Sequence, residues 1–204
     1  MEDLETRARA RGFRTVAGVD EAGRGPLAGP VMAAAVVLPP GFQSPQIRDS
    51  KALSPKARER AFLLVTSNAL AYAVAHSTPE EIDRENILRA SLLAMRRAVE
   101  HLDVVPDFLY VDGNLAIPGG KDGPWTAIRQ EPVVSGDSRC LSVMAASILA
   151  KVTRDRLMLE YDRVYPGYGF ASHKGYPTKG HLAALAALGP SPIHRRTFRG
   201  VLPG

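Results

Sequence analysis

Four carboxylates carry the chemistry this sequence offers. Asp20 and Glu21 stand side by side at the end of an apolar run, directly before a loop, Ala22 to Pro30, too rich in Gly and Pro for helix or strand. Asp112 closes the apolar stretch Asp107-Phe-Leu-Tyr-Val-Asp112, and Asp137 follows a third strand-like stretch in the pair Gly136-Asp137. Carboxylates brought together repel one another and lose hydration unless cations bind among them. Hard oxygen donors of this kind suit Mg²⁺ or Mn²⁺, held partly by the protein and partly by a substrate phosphate. Two such ions about 3.5–4 Å apart would stabilise the attacking and leaving oxygens of phosphodiester cleavage. A single acid at a strand end is an ordinary cap or a solvated loop residue. The repeated context, with a Gly or a second acid beside each one, is what points to a site.

The loop after Glu21 leaves two readings open. It lacks the Gly-x-x-x-x-Gly-Lys-Ser/Thr pattern of a nucleotide phosphate loop, and Gly23, Gly25 and Gly29 miss the dinucleotide spacing by one residue. It is either a tight turn needing positive φ, or a backbone cradle for a sugar or phosphate with Arg24 adding charge. Further on, His173-Lys174-Gly175-Tyr176 sets cations beside an aromatic in a loop, as contact with a nucleic-acid sugar or base requires. A solvated loop with its Tyr packed on the core is the alternative. His173, His181 and His194 form no i,i+4 metal pair and are read as separate surface or capping residues. Cys140, the one cysteine, falls in a small apolar run and reads as a buried, inert thiol in a reducing compartment.

Alternating elements must position these groups. Strands are expected over Phe13–Val19, Val31–Leu38, Ala69–His76, Asp107–Asp112 and Thr126–Val134. Ser54-Pro55 opens a helix to about Asn68, and the capping box Thr78-Pro79-Glu80-Glu81 opens another to about Leu102. A long helix spans Leu141–Tyr161, a Gly/Pro-rich loop Tyr165–Thr178, and a last helix Lys179–Leu188 ends at Gly189-Pro190. With no linker, repeat or low-complexity tract, the expectation is one α/β domain over 1–204, its core at about 13–165 and a C-terminal helical part at about 166–204. A hydrophobic fraction of 45% supports a real core, and the net charge of +5 favours polyanionic partners. The N-terminus lacks a secretory h-region and no apolar run is long enough to span a membrane, so the expected location is the cytoplasm, and a monomer is the default.

The stretch Gly18-Val-Asp-Glu-Ala-Gly-Arg-Gly-Pro-Leu-Ala-Gly-Pro30 closely resembles the signature of ribonuclease HII, the type 2 ribonuclease H. Further matches follow in order: Asp49-Ser50-Lys51, Val111-Asp112-Gly113, Gly136-Asp137, Ala145 to Asp155, His173-Lys174-Gly175-Tyr176, and the basic tail Gly189 to Phe198. The resemblance implies a ribonuclease H-like fold: a mixed five-stranded sheet flanked by helices, with a C-terminal helical extension. It implies cleavage of RNA in RNA–DNA hybrids and incision at single ribonucleotides in duplex DNA, with Mg²⁺ or Mn²⁺ as cofactor. By that match Asp20, Glu21, Asp112 and Asp137 are the metal-binding catalytic acids. Gly23, Arg24 and Gly25 sense the 2′-hydroxyl, Tyr176 stacks on the following deoxyribose, and Lys51 and Lys174 contact phosphate. Ala52 stands where the family pattern has a second lysine, which removes one phosphate contact. Asp155, mid-helix beside Arg154, reads either as structural or as a support behind the metal-binding acids despite its familiar motif. Two rivals remain: another metal-dependent nuclease of the same fold class, and a non-catalytic duplex-binding module.

Overall fold

Val31 to Val37 is buried at every position, so this strand must have protein on both faces. In the computed structural model, which describes residues 4–119, 125 and 127–202, it lies inside a five-stranded sheet. In chain order the elements are α1 (Leu4–Ala10), β1 (Val16–Ala22), β2 (Val31–Val37), α2 (Pro55–Asn68), β3 (Ala71–Ser77), α3 (Pro79–Glu85), α4 (Ile87–Glu100), β4 (Phe108–Asp112) and β5 (Arg129–Val133). They are followed by a 3₁₀ turn at Gly136–Ser138, then α5 (Leu141–Val164), α6 (Phe170–His173) and α7 (Lys179–Leu188). The strand order is β3-β2-β1-β4-β5. β1 pairs antiparallel with β2 and parallel with β4, and β5 lies parallel to β4, which makes the sheet mixed.

Strand alternation divides the core between the two faces. Ala17, Val19, Leu109 and Val111 pack with Ile82, Ala94 and Met95 of α3 and α4. On the other face Met32, Ala34 and Val36 meet Ala145, Ile148 and Leu149 of α5 and Ala61 and Val65 of α2. Helix α5 lies hard against β1: a Cβ on Gly18 would sit 2.2 Å from the backbone carbon of Ser142. Only glycine allows that approach, and it brings the small N-terminal half of α5 against the strand carrying Asp20. A third apolar cluster joins Leu27, Ala28, Met158, Phe170, Leu185 and Ile193, so the loop after β1 is packed onto the C-terminal part.

The expected elements recur with three differences. The helix expected from Thr78 to Leu102 is two, because Asn86 takes φ 70° and its side chain caps a fresh start, accepting from Leu88 N and Arg89 N. The Thr78 capping box itself is present. A short helix, α6, interrupts the Tyr165–Thr178 loop, and α1, absent from the expectation, packs Leu4 and Ala8 against Val16, Phe108, Tyr110 and Val133 of the sheet. Thr126, where the fifth strand was expected to begin, lies outside the described residues. Among the described residues no helix is long and apolar enough to cross a membrane.

Candidate active site

Parallel pairing of β1 with β4 places their C-terminal ends at one edge of the sheet, where open α/β sheets form binding crevices. Asp20 and Glu21 leave β1 there, and Asp112 is the last residue of β4. Carboxylate oxygens of these three lie within 4.8 Å of one another. Asp20 is 4% exposed, and burial pushes its carboxyl well above the usual range, with Glu21 and Asp112 adding repulsion. Glu21 is raised by burial too, against the pull of Arg24, whose Nη1 donates to it at 3.3 Å. Like charges held this way favour a bound cation, and a donor set of carboxylate oxygens alone matches Mg²⁺ or Mn²⁺.

The other expected acid joins less directly. Asp137 is buried on the 3₁₀ turn and accepts from Lys51 Nζ at 2.7 Å, outside the tight group of three. Its neighbour Gly136 donates its N–H to Asp112 Oδ1 at 2.7 Å, tying this turn to the end of β4. The hydrogen bond to Asp137 raises the Lys51 ammonium pKa, and the charge of Asp20 adds to the shift.

The cleft above the acids has a volume of about 260 Å³ and is lined by Gly23, Arg24, Gly25, Lys51 and Tyr176. Tyr176 is 43% exposed, and a Cβ on Gly25 would touch its ring at 3.6 Å. Lys174 is placed elsewhere. Its amine donates to Ala171 O, and it lines a neighbouring groove with Lys56, Arg58 and Arg60. Ser50, Ser147 and Lys151, which lie in the stretches that resemble the family but were not singled out as site residues, also line the cleft. Ser147 offsets part of the rise in the Asp20 pKa, and its Oγ lies 2.9 Å from that of Ser50. Asp155 is paired with Lys151 at 2.6 Å and Arg58 at 3.7 Å, in keeping with a structural role.

Two arginines that sequence reasoning passed over hold the loop. Arg195 donates from Nε to Gly29 O, from Nη1 to Arg24 O and from Nη2 to Gly23 O, at 2.9, 2.8 and 2.6 Å. Arg154 donates from its three nitrogens to Pro30 O, Lys174 O and Ala28 O, at 3.0, 2.9 and 3.0 Å. Both are fully buried, and burial pushes their guanidinium groups down to about 9 and about 10, still charged at neutral pH. The loop closes on its neighbours through Leu27 N to Gly175 O and Gly29 N to Ile193 O, each 2.8 Å. Gly23 sits at φ +96°, and a Cβ there would lie 2.0 Å from Arg154 Nε.

The histidines correct the expectation of separate surface residues. His181 and His194 are buried, their Nε2 atoms 3.0 Å apart, and His173 stacks on His181 with ring centroids 4.3 Å apart. Sequence spacing hid this because the contacts depend on α6, α7 and the tail folding together. The Tyr176 carbonyl can only accept, so the proton of His181 is on Nδ1; the Ser191 backbone N–H can only donate, so His194 Nδ1 is bare. His194 Nε2–H then donates to His181 Nε2, and both rings are neutral. Cys140 is buried and its thiol is pushed well above the usual range by burial, consistent with an inert group.

The model of the ribonuclease HII family matches residues 17–201. This chain belongs to that family. The ribonuclease HII of Geobacter sulfurreducens is 57% identical over 199 residues, covering 98% of this chain and 88% of that protein. That of Syntrophotalea carbinolica is 52% identical over 198 residues, covering 97% and 91%. The crystal structure of ribonuclease H2 from Pyrococcus horikoshii OT3 superposes with a TM-score of 0.75 at 28% identity, covering 92% of this chain and 95% of that one. Membership makes the chain an enzyme, a nuclease of the ribonuclease H type, and its fold the ribonuclease H-like fold.

Proposed function

We propose that this ribonuclease cleaves the RNA strand of RNA–DNA hybrids and incises 5′ to single ribonucleotides in duplex DNA, leaving 5′-phosphate and 3′-hydroxyl ends. One observation carries the reading. A cleft floored by three crowded carboxylates has, as its wall, a loop of exposed backbone and an exposed tyrosine. The floor suits phosphodiester hydrolysis. The wall suits recognition of a sugar, since a glycine loop admits a 2′-hydroxyl closely and a ring face accepts a neighbouring sugar or base.

In this reading Asp20, Glu21, Asp112 and Asp137 hold two Mg²⁺ or Mn²⁺ ions, which supply Lewis-acid stabilisation of the phosphate and activation of the attacking water. The protein's own part is placement. Gly23, Arg24 and Gly25 contact the ribose, Tyr176 stacks beyond it, and Lys51 contacts a phosphate near Asp137, to which it is hydrogen-bonded. Lys174, facing the neighbouring basic groove, contacts a more distant phosphate. The chain acts as a monomer in the cytoplasm, consistent with its lone buried thiol.

The test is cleavage of labelled duplex DNA carrying one ribonucleotide, in Mg²⁺, in Mn²⁺ and in EDTA, beside an all-DNA duplex and a long hybrid. Metal-dependent incision 5′ to the ribonucleotide, with the all-DNA duplex intact, is expected. Incision of the all-DNA control would turn the assignment toward a general metal-dependent nuclease. Binding without cleavage would turn it toward a duplex-binding module.

A further inference from the structure

Resting on the reading that this cleft senses a 2′-hydroxyl, we infer that Arg195, backed by Arg154, is a positioning residue that fixes which polar backbone groups the Gly23-Arg24-Gly25 loop shows to substrate. A trans peptide unit points its carbonyl and the following N–H in opposite directions. Arg195 draws the carbonyls of Gly23 and Arg24 inward, which turns the N–H groups of Arg24 and Gly25 outward. Neither of those N–H groups has a hydrogen-bond partner among the described residues, and Arg24 and Gly25 are exposed while Gly23 and Pro26 to Pro30 are buried. The loop therefore presents two fixed donors and no acceptor from these two peptide units.

Donors of this kind match an oxygen on the substrate. A ribose 2′-hydroxyl supplies one on the sugar that follows the scissile phosphate; a deoxyribose lacks that oxygen. The guanidinium fork is what the task requires, since three carbonyls converge on one side chain from different directions. A lysine at this position keeps the charge but reaches the carbonyls with one nitrogen, so the peptide units regain freedom to rotate. Arg154 holds the far side of the loop through Ala28 and Pro30, and joins it to Lys174, two residues before Tyr176.

The experiment separates positioning from folding by a ratio that the fraction of folded enzyme does not change. It compares the Ki of an all-DNA duplex, as competitor, with the KM of the same duplex carrying one ribonucleotide, both in Mg²⁺. Arg195→Lys is expected to lower the ratio Ki/KM by about tenfold relative to the parent protein. An unchanged ratio in a variant with parental far-UV circular dichroism overturns the inference and leaves the proposed function standing. A parental ratio near one overturns the 2′-hydroxyl reading and this inference together. Should Arg195→Lys not fold, the parent decides: the ¹⁵N-amide resonances of Arg24 and Gly25 are expected to shift with the ribonucleotide duplex and not with all-DNA. Amides that respond equally to both duplexes overturn the inference.

Discussion

One wall of the cleft crowds three carboxylates, Asp20, Glu21 and Asp112, and burial and repulsion disfavour the charged forms of Asp20 and Glu21. Behind the other wall, Arg154 and Arg195 are buried as deeply, yet each nitrogen of both guanidinium groups donates to a backbone carbonyl. Burial alone does not decide the cost of a charge; what decides it is whether fixed dipoles of the right sign surround it. The arginine wall is satisfied by the chain itself, whereas the acid wall is left to be completed from outside. The first is thus rigid scaffolding, and the second is a binding site held at some expense in stability.

That contrast breaks most visibly at Asp20. Asp20→Asn keeps the oxygen that accepts from Glu21 N and removes the like charge. Cleavage is expected to fall by about 10²–10³-fold or more, while the melting temperature in EDTA rises above that of the parent. Added Mg²⁺ is expected to raise the parent's melting temperature and leave the variant's unmoved. A variant less stable than the parent in EDTA would show that the acid wall carries no strain.

The arginine wall should answer in the opposite way. Gly23→Ala forces a methyl to within 2.0 Å of Arg154 Nε at a backbone φ of +96°. Overpacking and a left-handed alanine together are expected to cost about 2–4 kcal/mol, read as a lower urea midpoint with or without metal. Parental stability in this variant would mean the loop is free to shift, and with it the role given to Arg195.

The histidine pair beside that wall predicts a pH dependence opposite in sign to that of the acids Asp20 and Glu21. Burial, then the neighbouring His181, push His194 down to about 4 from its ordinary value. The unfolded chain takes up its proton near pH 6.5 and the folded chain resists it, so stability is full above that range and falls as pH drops toward 4. His194 alone is expected to remove about 1.5 kcal/mol between pH 7 and pH 5.3, a window above most carboxylate titrations. Denaturation curves in EDTA at the two pH values check this, and His194→Gln should flatten the difference.

The two walls also differ in how openly the sequence displays them. Acids at strand ends are legible because one short continuous apolar run followed by Asp gives both element and side chain. Asp20-Glu21 and Asp112 were found in this way, and parallel pairing of β1 with β4 did the rest. The arginine wall was not legible from composition or spacing: Arg195 is 166 residues from Gly29 and reads as part of a basic tail. Nothing local marks a buried arginine, since its partners are carbonyls that every residue carries. The break at Asn86 is hidden for a similar reason, because an asparagine at positive φ can end one helix and cap the next without disturbing the apolar stripe.

Tyr176 offers the sharpest and smallest test, because it lines the cleft without supporting either wall. Its ring is partly exposed and lies over Gly25, while its carbonyl accepts from His181 Nδ1 and its N–H donates to His173 O. Tyr176→Ala keeps these backbone bonds and deletes only the ring, so stability should stay within about 0.5 kcal/mol of the parent. Loss of a stacking face is expected to cost about 1–3 kcal/mol in kcat/KM on the single-ribonucleotide duplex. Tyr176→Phe, which keeps the face, should restore most of it. An equal loss in both variants would make the hydroxyl rather than the ring the working part, and recognition would then rest on hydrogen bonding from both sides of the cleft.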